Sequence, residues 1–66
     1  MSDNEIKAVV AKYLKLRGKN HKDVIRATHI SETTYYRKMS NPETFKLEEL
    51  RKIFDYLKVP KEERIF

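Results

Sequence analysis

The segment that most constrains this chain is Asn20 to Met39, NHKDVIRATHISETTYYRKM, which reads as two short helices joined by a tight turn. Asn20 suits the start of the first helix, because its short side-chain oxygen can accept an orphan backbone N–H there. Residues 21 to 28 follow as a helix whose buried pair is expected to be Val24 and Ile25. His29-Ile30-Ser31 makes the break, and Ser31 caps a second helix, 31–39, that ends near Ser40 at the Asn41-Pro42 stop. Ile30, Tyr35 and Met39 are the apolar anchors that pin the second helix across the first. Two helices crossed in this way form a helix-turn-helix, in which the second helix can enter the major groove of double-stranded DNA.

The flanking segments supply the rest of a core. A first helix is predicted from about Asn4 to Arg17, with Ile6, Val9, Val10, Tyr13 and Leu14 on one face and Lys7, Lys12 and Lys15 away from it. Asp3 or Asn4 can cap its start, and Gly18, the only glycine, sits where a left-handed residue would close its end. Another helix begins near Leu47, where Leu47, Leu50, Ile53, Phe54 and Leu57 form a wide apolar stripe, with Phe45 packed ahead of it as a staple. Val59-Pro60 ends that helix and starts a last short one, from which Ile65 or Phe66 folds back onto the first or fourth helix. No stretch alternates with period two for the length of a strand, so the expectation is an all-α, compact five-helix domain spanning 1–66.

Charge adds a direction. The chain carries a net +5, and residues 1–40 hold all of it, with nine Lys/Arg against four acids, while residues 41–66 hold six of each. The excess therefore coincides with the two-helix motif, and a positive field there suits a polyanion. Taken alone it equally reads as a solubility surface. Cysteine is absent, which excludes disulfides and thiolate metal sites. The longest apolar run, Ala8 to Ala11, is far short of a membrane span, and the first ten residues do not read as a signal peptide. A soluble cytoplasmic protein, associated with the nucleoid when bound to DNA, is the expectation.

With these elements placed, the chain from about Ile6 to Val59 resembles the lambda-repressor-like helix-turn-helix family, which holds phage repressors, Cro-like proteins and small bacterial regulators. Its His29-Ile30-Ser31-Glu32-Thr33-Thr34-Tyr35-Tyr36-Arg37-Lys38-Met39 is similar to a phage-derived subset whose pattern runs Gly-Ile-Ser-x-Thr-Thr-Phe/Tyr-Tyr-Arg-Lys-Leu/Met. Asn41 to Phe45 and Leu47 to Ile53 also look like that subset. Two departures stand out: His29 replaces the glycine usual at a positive-φ turn, and Ile25 stands where alanine is frequent at the close approach of the helices. The resemblance implies a compact lambda-repressor-like domain whose second and third helices are the motif. It also implies a sequence-specific transcriptional regulator that works as a two-fold homodimer on a palindromic operator, the dimer forming through the globular domain or on DNA.

The outward face of the third helix should present Glu32, Thr33, Tyr36 and Arg37 to base edges. By resemblance the family's base readers correspond best to Glu32, Thr33 and Arg37, with Tyr36 beside them. Arginine can donate bidentately to guanine, threonine can meet a thymine methyl, and glutamate can accept from the cytosine amino group. Phosphate contacts are expected from helix termini and loops: His21 and Lys22, then Thr34, Lys38, Asn41, Thr44 and Lys46, with Lys19 and Arg26 as weaker candidates. Plainer roles stand beside these. Glu32 also reads as a charge complementing a helix start, Tyr36 as packing against the fourth helix, Thr34 as bonding its own turn, and Lys38 and Arg26 as solvated charges.

Nothing points to catalysis or a cofactor. His21 and His29 are eight apart and form no metal pair, Ser2, Ser31 and Ser40 have no evident base, and one glycine makes no phosphate loop. The adjacent pairs Glu48-Glu49 and Glu62-Glu63 read as solvated helix faces. No small-molecule substrate or membrane partner is implied. The alternative function is a protein-interaction module on the same fold, an antitoxin or a phage accessory or assembly factor, built on Tyr56, Ile65 and Phe66. RNA is disfavoured by the lack of an aromatic strand platform.

Overall fold

Every α-helix of this protein stops where the backbone turns left-handed or meets a proline. The computed structural model describes residues 3–64. In chain order these form α1 (Asp3–Arg17), α2 (His21–Thr28), α3 (Glu32–Ser40) and α4 (Leu47–Tyr56), with 3-10 turns at Pro42–Thr44 and Lys61–Glu63. Gly18 at φ 64° closes α1 in a Schellman arrangement, Gly18 N–H donating to Lys15 O and Lys19 N–H to Leu14 O. His29 at φ 61° closes α2 with a single bond from its N–H to Ile25 O. Lys58 at φ 55° closes α4 in a second Schellman arrangement that seats Val59 against the core. Before Pro42, Asn41 cannot stay helical, and α3 ends.

Among the described residues four α-helices stand where five helices were expected. After Pro60 the described residues make only the three-residue turn Lys61–Glu63, whose residues are all polar and offer no apolar face of their own. The turn is instead drawn back by its charges. Glu63 accepts hydrogen bonds from Lys12 Nζ at 2.9 Å and from the Tyr13 hydroxyl, and Arg64 donates to Val59 O, Phe54 O and the Asp55 carboxylate. Arg17 donates from Nε to Leu57 O and from Nη2 to Lys58 O. Two guanidinium groups thus occupy the negative end of α4. Glu63 is therefore no solvated helix face; Glu48 and Glu62 are exposed as expected.

The core holds Ile6, Val10, Tyr13 and Leu14 of α1, Val24 of α2, Tyr35 of α3, Phe45, and Leu50, Ile53, Phe54, Leu57 and Val59 around α4. Val9, Ile25, Ile30, Met39 and Tyr56 pack half-buried around it. Thr28, not Ile25, completes the buried side of α2, and its hydroxyl satisfies itself on Val24 O at 2.8 Å. Leu47 lies exposed at the first residue of α4, one turn before the stripe reaches the core. Asn4 lies within α1, which begins at Asp3, so it does not act as the cap. Ile65 and Phe66 lie outside the described residues. A chain of this length is stable by about 3–10 kcal/mol. Truncating enclosed Phe54 to alanine, at about 3–5 kcal/mol, would use most of that.

Candidate nucleic-acid interface

The geometry of α3 follows from its cap, Ser31, and its fourth residue, Tyr35. Ser31 stays extended at φ −63°, ψ 146°, and its Oγ accepts the Thr34 N–H. Four residues into the segment, Tyr35 is 0% exposed and anchors the helix from behind. That fixes the rotation of α3 about its axis. Glu32, Thr33, Tyr36 and Arg37, at helical spacings of one, three and one, all fall on the exposed side. The side chains of Glu32, Thr33 and Arg37 have no partner among the described residues. The expected base-reading group is thus brought together on one free surface. Tyr36, 41% exposed, makes T-shaped ring contacts with His21 and Tyr35, at 6.0 and 5.4 Å between centroids.

His21 opens α2 behind a full capping box, Asn20 and Asp23 each accepting the other's backbone N–H. The imidazole Nδ1 lies 2.8 Å from the Tyr35 hydroxyl. Burial pushes the Tyr35 phenol well above its ordinary value, with Tyr36 adding to the effect, so the hydroxyl keeps its proton. Lys22 beside it is exposed and unpaired among the described residues.

At the other end of α3, two expected phosphate contacts, Lys38 and Thr44, prove to be occupied. Lys38 donates to Glu49 Oε1 at 2.6 Å, and the two side chains are only 13% and 15% exposed. The same oxygen accepts the Lys46 N–H at 2.8 Å. Burial raises the Glu49 carboxyl, but the Lys38 ammonium and the Lys46 N–H outweigh it and hold it below the ordinary carboxylate range. Glu49 is therefore the clasp between α3 and α4, and Lys38 is neither free for a phosphate nor a solvated charge. Thr44 spends both its N–H and its hydroxyl proton on Asn41 O, which leaves it no donor for a phosphate oxygen. The Lys46 side chain remains exposed, as does Asn41. Thr34 is half-buried. Arg26 lies 3.7 Å from Asp23, and Lys19 sits 5.8 Å over the Tyr56 ring.

Sequence reading missed the Glu49 clasp and the His21–Tyr35 bond. Residues eleven and fourteen apart, on different helices, leave no periodic signal. The glutamate three residues after Lys46 was the one available hint, since that spacing lets a carboxylate return to the start of its own helix.

A free, rigidly braced helix crossed over a second one defines a helix-turn-helix DNA-binding domain. Among known families, the Cro/C1-type HTH DNA-binding domain matches residues 10–63, and the chain belongs to that family. Comparison with curated proteins and with solved structures returned no match. Among the described residues no helix is long and apolar enough to cross a membrane.

Proposed function

We propose that this protein is a sequence-specific double-stranded DNA-binding transcriptional regulator of the phage or prophage repressor or Cro-like kind. It lays α3 in the major groove as a homodimer on a palindromic operator. The observation that carries this reading is the exposed face of Glu32, Thr33, Tyr36 and Arg37, held outward by enclosed Tyr35. Arg37 donates to guanine, Thr33 and Tyr36 complete the readout, and Glu32 accepts from a cytosine amino group. Lys22, His21, Asn41 and Lys46 surround that face and take phosphates, which sets register without reading sequence.

Selection of bound sites from random duplexes, followed by band shifts on the selected site, tests it. Arg37→Ala should relax preference at one base pair and cost about 1–3 kcal/mol there. Lys46→Ala should weaken all duplexes alike and reduce the salt slope by about one. Parent affinity should itself fall steeply with salt. Variants that bind like the parent, or a parent indifferent to salt, would refute the assignment.

A further inference from the structure

The Tyr35 hydroxyl is enclosed by the fold and has one partner among the described residues, His21 Nδ1 at 2.8 Å. A phenol both donates and accepts, and each ring nitrogen of a neutral histidine does one or the other. Two arrangements satisfy the distance. With the proton on Nδ1, the imidazole donates to the Tyr35 oxygen, and the phenolic hydrogen is left in the interior with no acceptor. A buried donor without a partner is the costlier fault. With Tyr35 O–H donating to a bare Nδ1, both groups are satisfied, and the single ring proton lies on Nε2. That nitrogen has no partner among the described residues, and no buried side-chain nitrogen or oxygen there lacks one, so Nε2 meets solvent. Edge contacts with Tyr35, at 5.6 Å and 60°, and with Tyr36, at 6.0 Å and 65°, fix the plane of the ring.

We propose that Tyr35 is a positioning residue for DNA anchoring: its hydroxyl donates to His21 Nδ1 and so keeps the ring proton on Nε2, whose oriented N–H donates to a backbone phosphate of the duplex. This rests on the DNA-binding reading above. It adds that α3 and the phosphate contact at the start of α2 are mechanically one unit, since α3 cannot rotate without turning the imidazole. Tyr35 itself never touches the duplex.

Nitrogen–proton correlation spectra of the full chain read which ring nitrogen carries the proton, and a double-mutant cycle on the selected duplex reads the coupling. The parent should show the proton on Nε2. Tyr35→Phe should weaken duplex binding about three- to tenfold, the worth of one oriented hydrogen bond. In a His21→Ala background the same substitution should change binding less than about twofold, because the group it positions is gone. Circular dichroism on each variant keeps loss of fold separate from loss of contact. Overturning results are a proton on Nδ1 in the parent, or a Tyr35→Phe loss of equal size with and without His21. A parent that binds no duplex at all would overturn both this proposal and the function it rests on, whereas an uncoupled cycle on a binding parent would overturn this proposal alone.

Discussion

His29→Gly should make this protein more stable, although it deletes a side chain from the middle of the functional motif. His29 holds φ 61°, ψ 21° as the residue that closes α2, and its side chain has no partner among the described residues. The Cβ of an L-residue in that region costs about 1–2 kcal/mol. Removing it also frees the unfolded chain, which returns about 0.4–1 kcal/mol to the unfolded state. The net gain is about 0.5–1 kcal/mol, or a melting temperature higher by about 2–8 °C for a domain of this size. Lys58 at φ 55° ends α4 by the same device, and Lys58→Gly should gain a similar amount. Gly18 provides the reverse control. At φ +64° with nothing within 4 Å of an added Cβ, Gly18→Ala adds strain without a clash and should lose about 0.5–1 kcal/mol. Thermal melts followed by circular dichroism measure all three. A lower melting temperature for His29→Gly, with Gly18→Ala behaving as stated, would refute the claim that the turn is strained.

Three further outcomes follow from the ion pairs. Glu49→Gln keeps an acceptor for Lys46 N–H but removes the charge facing Lys38, and should cost about 1–2 kcal/mol in denaturant melts. Glu49 and Glu63 are both held below the ordinary carboxylate value, Glu63 by the Tyr13 hydroxyl first and Lys12 second. Their contribution is thus complete above pH about 4.3 and is lost as pH falls through the lower folded values. Melts across that range should show the loss, and Glu49→Gln should make it shallower. Lys38→Met should leave the salt slope of duplex binding unchanged, because Glu49 already neutralises that ammonium, whereas Lys22→Met should reduce it by about one.

Local chemistry decided most of what could be read along the chain. Asn20 and Ser31 cap because short oxygens reach a backbone N–H two or three residues on, and Pro42 stops α3 because it bars helical φ/ψ to Asn41. Apolar spacing placed Ile6, Val10, Tyr13, Leu14, Leu50, Ile53, Phe54 and Leu57 in one core, whereas the positive φ at His29 was implied by the resemblance to a family with glycine at that turn. Each of these depends on neighbours within about one helical turn.

What needed the assembled fold depends on residues that meet only after the helices cross. Leu47 shares the period of the α4 stripe yet lies exposed, because burial is set by which elements pack over a position and not by spacing alone. Polar Lys61–Glu63 carries no apolar period, and the contacts of Glu63 with α1 and of Arg64 with α4 bend that segment back. Lys38 and Lys22 are the same residue type on the same charged surface. Only the approach of α4 brings Glu49 against one of them and leaves the other free, since a charge is available to DNA only if no carboxylate of its own fold has reached it first.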